Sequence, residues 1–285
     1  MGSEMCIRDS FRPDESLEQS VREKVAQAQS ELKHSESLYL KAEEMLLEGL
    51  GWDKLDLSQP RWWAVSLSRA REVHRIDAEH FQPKYDKLIS YLKGTGKTRQ
   101  MIDVLAEPIR KGVTPVYDPE GTVSVVNSQH LGRQHLNVEA TDRTTGSFWE
   151  ANKRARIRQY DVMMYATGAP YVGRSNIFLE EMRALAGVDL MLLRPKPEIC
   201  DPSYLAVFCN SPLGMLQAEM YQTGSNQQHL YPSGVSQFWV YIPSPEFQRR
   251  IAELVYKAWE ARRKAKSLLE DAVLKVETLI ESETK

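Results

Sequence analysis

Two long heptad runs, one toward each end of the chain, restrict the fold more than any other feature. Over residues 17–48, Val21, Val25, Ala28, Leu32, Ser35, Tyr39, Ala42 and Leu46 step by alternating fours and threes. That spacing keeps one apolar seam along one side of a helix. Gly49 and Gly51 stand where a C-cap is expected. After Pro243 and Pro245 the pattern returns: Ile251, Leu254, Ala258, Ala261, Ala265, Leu268 and Ala272 alternate in the same way, with neither Gly nor Pro in 246–285. Small Ala and Ser residues in both seams allow helix backbones to approach closely. At 1.5 Å rise, some 30 residues span roughly 45 Å, more than a domain needs. The two helices are therefore expected to pair antiparallel, or with a partner's helices, as a coiled-coil spacer. The plainer alternative packs each on a globular body.

The segment between them mixes element types. Val65–Leu67, Val123–Val126, Arg154–Arg158, Asp161–Tyr165 and Val188–Leu193 read as strands, and residues 83–93 and 202–220 as helices. No regular βα alternation appears, so the fold class is α+β: one mixed domain over residues 51–245, flanked by spacer helices at 11–50 and 246–285. Residues 1–10 are set aside. Met5-Cys6-Ile7-Arg8-Asp9-Ser10 resembles the in-frame translation of a sequencing-library adapter, from which a sequence truncated at its start is expected. Without Cys6, two thiols remain, too few for a disulfide framework or a Cys-based metal site, and a reducing, cytoplasmic setting is expected. No apolar run approaches a membrane span.

Catalytic motifs are incomplete. Gly94-Thr95-Gly96-Lys97-Thr98 looks like the end of a phosphate-binding loop, but Tyr91 stands where that loop needs Gly, and a turn fits better. Asp201-Pro202-Ser203-Tyr204 is one residue from the motif of amino-methyltransferases, yet no Gly-rich nucleoside-binding turn accompanies it; Pro202 suits a helix's first turn. The six histidines form no zinc-ligand spacing, and His130 and His135 read as surface or turn residues. A non-catalytic binding protein without cofactor or metal follows as the expectation.

The basic residues carry more. On a strand, Arg154, Arg156 and Arg158 would share one face, with Lys153 before them and Arg174 after the loop Thr167–Gly173 that holds Tyr171. Guanidinium forks suit phosphates and guanine edges; the alternative is a solvated face paired with Asp or Glu. Gln227 and Gln228, within Gly224–His229, carry amides of the kind that read adenine, or else serve a hydrogen-bonded turn. The net charge of −2 hides an uneven distribution. Residues 11–50 hold 5 basic and 9 acidic side chains, whereas 51–245 hold 22 and 20. An acidic helix masks a mildly basic body, so the total does not exclude a nucleic-acid partner.

Three collinear stretches resemble the specificity (S) subunits of type I restriction–modification systems. They are Arg75-Ile76-Asp77-Ala78-Glu79-His80-Phe81-Gln82-Pro83-Lys84-Tyr85; Ile109–Pro115 with Gln159–Met163; and His229–Pro232 with Trp239–Ile251. At Tyr160 the family usually has Gly. The resemblance implies one target recognition domain between conserved helices, where family members usually have two, each reading half of a bipartite site. It implies double-stranded DNA as a partner, and modification (adenine-N6 methyltransferase) subunits that reach the restriction subunit in turn. It also implies that the S subunit itself does no chemistry. A half-length form is expected to self-dimerise. Lys153, Arg154, Arg156, Arg158, Tyr171, Arg174, Gln227 and Gln228 are the expected DNA contacts, chosen by side-chain chemistry. A helical scaffold whose body binds protein is the alternative.

Overall fold

A computed structural model describes residues 14–283 except Ala169 and Ser225; the adapter-like start lies outside the described residues. In chain order the helices are α1 (Glu15–Leu50), α2 (Leu67–Glu72), α3 (Pro83–Gly94), α4 (Met101–Val104), α5 (Gly146–Ala151), α6 (Pro202–Asn210), α7 (Pro212–Tyr221), α8 (Pro232–Val235) and α9 (Pro245–Glu283). The strands are β1 (Thr98–Gln100), β2 (Arg110–Lys111), β3 (Val123–Val126), β4 (Asp142–Thr144), β5 (Arg156–Ile157), β6 (Val162–Tyr165), β7 (Ser175–Ile177), β8 (Ala184–Ala186), β9 (Leu190–Leu193) and β10 (Trp239–Tyr241). The fold is α+β, with a long helix toward each end.

The chain divides into two units, residues up to Leu38 with those from Tyr256 onward, and Tyr39–Val255. In the first, α1 and α9 run antiparallel. Lys24 meets Asp271 at 2.9 Å, Glu31 meets Lys264 at 2.5 Å, and Ser20 accepts from Lys275 at 2.6 Å, so partners descend on one helix as they rise on the other. Between them Ala28, Ser35, Ala258, Ala261, Ala265 and Ala272 are buried. Small side chains at the seam leave the fill to Val25 and Leu32, as knobs-into-holes packing requires.

In the second unit, Tyr39, Ala42 and Leu46 of α1 and Ile251 of α9 join one core with Leu88, Leu92, Met101 and the nearly all-apolar α6. Two four-stranded sheets, β2-β9-β6-β7 and β4-β3-β8-β5, and the pair β1-β10 make up its β structure. The first sheet is antiparallel throughout; in the second, β3 and β8 are parallel. Both Gly residues after the first heptad run have distinct reasons. Gly51 takes φ 73°, the left-handed C-cap, whereas a Cβ on Gly49 would meet the Phe247 ring at 2.5 Å.

Three expectations need correction and a fourth needs sharpening. Val65–Leu67 is not a strand: Ser66 is the N-cap of α2 and accepts from the Arg69 amide at 3.3 Å. The helix over 202–220 is two helices, because Ser211 is extended before Pro212, which begins the second. The strand over Arg154–Arg158 forms only at Arg156–Ile157, where β5 pairs with β8; Lys153–Ala155 are a 3-10 turn. His130 lies in a turn but is buried, accepting the Asn127 amide at Nδ1. Pro202 does open a helix: Asp201 caps α6 by accepting from the Ser203 and Tyr204 amides.

Candidate nucleic-acid interface

The broken strand divides the expected DNA contacts into two groups, both near β2. The first lies around the turn Lys153–Ala155, which packs on β2. Lys153 and Arg154 are exposed and make no ion pair with a described residue. Arg156 is committed inward. Its guanidinium carbon sits 3.6 Å from the centre of the Trp149 ring, Nε donates to the Trp149 carbonyl at 3.0 Å, and Nη2 reaches Glu150 Oε2 at 2.5 Å. Arg158 donates to Glu107 at 3.2 Å while remaining 61% exposed. The sequence alternative, arginines paired with acids, describes these two residues.

Glu107 gathers Arg110, Arg158 and Arg194. Partial desolvation opposes its charge, but the three guanidiniums hold the carboxyl below its ordinary range. Arg194 also grips the fully buried Asp161 through two bonds, 2.6 and 2.7 Å, and Asp161 accepts from the Arg158 amide at 2.8 Å. Tyr160, the residue before it, sits at φ 71°. That left-handed conformation is one that Gly adopts without steric cost and a Cβ makes unfavourable.

The second group lies where the β6–β7 connection meets the segment between α7 and α8. Thr223 and His229 exchange both backbone hydrogen bonds, at 2.9 and 2.8 Å, closing a short hairpin that presents Asn226 and Gln227 to solvent. The Gly168 amide donates to the Gln228 carbonyl at 2.9 Å, and the Leu230 amide to Ala166 at 2.8 Å. His229 Nδ1 lies 3.3 Å from Thr167 Oγ1. So Gln227 and Gln228 do stand in a hydrogen-bonded turn, and Tyr171 and Arg174 belong to the connection beside it. The Arg174 guanidinium lies 3.9 Å from the centre of the Tyr171 ring.

Residues that composition alone does not single out complete this region. Lys111 of β2 places its Nζ 5.8 Å from the Tyr231 ring, and Tyr231 stacks on His229 at 6.1 Å. Tyr171 and Tyr231 are both 48% exposed. Lys111 and Arg174 form no ion pair with a described residue, so each cation is held by a ring rather than neutralised by a carboxylate. A lysine finding a tyrosine so distant in sequence leaves no local signal; the only hint was an aromatic beside a polar loop.

The first motif stretch explains the hairpin's placement. Arg75, gripped by Asp77 at 2.8 and 2.5 Å, donates to the carbonyls of Met220 and Gln222 at 3.3 and 3.0 Å. His80 Nδ1 donates to the Met220 carbonyl at 2.8 Å, and burial lowers the His80 pKa, keeping the ring neutral. These bonds satisfy carbonyls at the C-terminal end of α7, one residue before the hairpin. In the third stretch, the Gln248 amide ties α9's first turn to Ile199, Pro243 and the Asp201 amide. Among the described residues no group of His, Cys, Asp and Glu is placed to hold a metal ion, and no helix is long and apolar enough to cross a membrane.

No family model matches the chain, and no curated protein does. Solved structures do. The S subunit of the type I restriction–modification system from M. genitalium aligns with 56% of this chain and 37% of its own length, at 12% identity and a TM-score of 0.38. A chain from a structure of type I R-M complex assembly and conformational transition aligns over 94% and 58%, with 16% identity and a TM-score of 0.41. The HsdS subunit from Thermoanaerobacter tengcongensis aligns over 90% and 56%, with 14% identity and a TM-score of 0.41. The chain spans less than three fifths of the length of each of these structures.

Proposed function

We propose that this chain is a sequence-specific DNA-recognition subunit of a type I restriction–modification complex, itself non-catalytic and cytoplasmic. It reads one half of a bipartite site and docks modification subunits, and through them the restriction subunit. The observation that carries the reading is the paired-loop surface: an amide-bearing hairpin beside two exposed tyrosines, each with an unneutralised cation over its ring. Phosphate contacts position such a surface and base edges specify it. The three motif stretches add support, because two of them hold the hairpin and α9 in place. Lys153, Arg154, Tyr171, Arg174, Gln227 and Gln228 contact DNA directly. Arg156 and Arg158 reach it only by giving up Glu150 and Glu107.

Residues 11–50 and 246–285 act as spacer helices and 51–245 as the recognition domain. Sequencing the methylated bases of a host that expresses the chain with its modification subunit tests this. A new methylated motif is expected, and none appearing would sink the reading. One observation favours a second reading, a helical scaffold that binds protein: Leu269, Val273 and Val276 step by 4 and 3 along α9 and are exposed. On the DNA-recognition reading this stripe receives a helix of the modification subunit, or of a second copy. Light scattering at micromolar concentration, with and without that subunit, separates the two occupants.

A further inference from the structure

We infer that base reading and phosphate gripping are divided between different residues of the paired loops: the hairpin closed by Thr223 and His229 enters the major groove with Asn226 and Gln227 at its tip, and Lys111 and Arg174 hold phosphates beside it. This deepens the DNA-recognition reading and rests on it.

The base of the hairpin is held by described residues on either side of it. Thr223 and His229 make one antiparallel bridge and His229 makes a second with Thr167, so the base of the loop is held on both sides, and the groove, about 12 Å wide, admits a projecting element of that width. Gly224 sits at φ +99°, and a Cβ there would lie 2.2 Å from the Gln227 carbonyl oxygen, so the turn closes only around glycine. Backbone bonds from Gly168 and to Ala166 brace its base, and Arg75 and His80 fix the end of the helix that leads into it. Side chains carried next to a braced base have less ordering left to do when they meet a base edge.

Chemistry then separates the roles. Asn226 and Gln227 each hold an N–H donor and a carbonyl acceptor side by side in one plane, the pair that matches adenine N7 and N6. Neither carries charge, so neither gains from a phosphate as a cation does. Lys111 and Arg174 are the reverse. Their charge lies over exposed rings and meets no carboxylate of a described residue, Arg174 donating only to the Leu131 carbonyl at 3.4 Å besides, so each cation keeps its charge for a phosphate. A phosphate contact is indifferent to sequence and releases a counterion.

Binding of the full chain, alone and with its modification subunit, is measured on two duplexes of about 30 base pairs. One carries the motif that becomes methylated in the host and the other its scrambled counterpart; salt runs from about 50 to 200 mM. Lys111→Ala and Arg174→Ala are each expected to weaken both duplexes equally and to lower the salt slope by about 1. Gln227→Ala is expected to weaken the motif duplex alone, roughly 5- to 150-fold, with the slope unchanged. Thermal melting confirms that each variant is folded. The division of roles is overturned if Gln227→Ala lowers both duplexes together, or if neither cation variant changes the slope while the wild type still prefers its motif. A wild-type chain with no preference between the duplexes overturns the DNA-recognition reading along with it.

Discussion

Arginine and lysine serve opposite purposes in two neighbouring regions of the body. Around Glu107 and Trp149, Arg110, Arg156, Arg158 and Arg194 face carboxylates, carbonyls and a ring, and Asp161 is buried under two of their bonds. Around the paired loops, Lys111 and Arg174 lie over tyrosines without a carboxylate, Arg174 donating in addition to the Leu131 carbonyl at 3.4 Å. The residue types match; the partners decide. A cation that meets a carboxylate inside the fold has already satisfied the demand a phosphate would otherwise meet, and withdrawing it exposes an acid that repels DNA. A cation over an exposed ring gives up no carboxylate when a phosphate arrives.

The harshest test of this contrast removes the centre of the first region. Asp161→Ala leaves the Arg194 guanidinium without its two short bonds and the Arg158 amide without an acceptor. Breaking such a buried pair costs about 3–5 kcal/mol, read by denaturant unfolding. A loss under about 1 kcal/mol would show that the network holds little of the fold. Arg156→Ala comes next. It deletes a stacked, half-hidden guanidinium with carbonyl and carboxylate partners, at a cost of about 1–2 kcal/mol. DNA affinity and salt slope are expected to stay near wild type. The opposite result, unchanged melting with weakened binding, would move Arg156 into the second region and erase the contrast.

How far these regions could be read from sequence follows the range of the interactions that make them. The heptad seams are local, and α1 and α9 contain every seam position from Val21 to Leu46 and from Ile251 to Ala272. The alternating arginines looked equally regular, but alternation makes a face only where strand pairing extends, and β5 pairs with β8 at two residues. Pro212 breaks a helix that apolar content alone would continue. The loop cations were half legible: Tyr171 and Arg174 lie three residues apart, while Lys111 and Tyr231 meet only because β2 and the end of the hairpin converge. The positive φ at Tyr160 is not legible from its residue type, because a Tyr gives no local signal for a left-handed turn.

Acidity should distinguish the regions next. Burial lowers the pKa of His80 and of His130 below the usual 6.5, so each stays neutral in the fold and takes up protons more readily once released. The unfolded chain then binds more protons below pH 6.5, and stability falls as pH drops from there toward the depressed values. Both rings support the loop side: His80 holds the Met220 carbonyl before the hairpin, and His130 shapes the turn whose Leu131 carbonyl accepts from Arg174 at 3.4 Å. Glu107, held below its ordinary range, stays ionised across that interval. Amide exchange at pH 5 against pH 7, corrected for intrinsic rates, should therefore rise around 222–230 and not at 158–161. Equal loosening of both would break the comparison.

The smallest effect concerns the strain at the edge of the buried network. Tyr160 is 44% exposed, its amide donates to the Phe178 carbonyl at 2.7 Å, and its φ of 71° is one that a Cβ makes costly by about 1–2 kcal/mol. Glycine removes that cost and keeps the amide, but it gives the unfolded chain more freedom, worth roughly 0.5–1 kcal/mol against it. The balance for Tyr160→Gly is a gain of about 0.5–1 kcal/mol, or a melting temperature higher by about 1–4 °C in a chain of this size. Combined with Asp161→Ala, the same change should recover little, because strain in the turn matters only while Asp161 holds both of its neighbours. Full additivity of the two would mean that the turn and the buried pair are independent, and that the arginines around Glu107 form a set of separate contacts rather than one network.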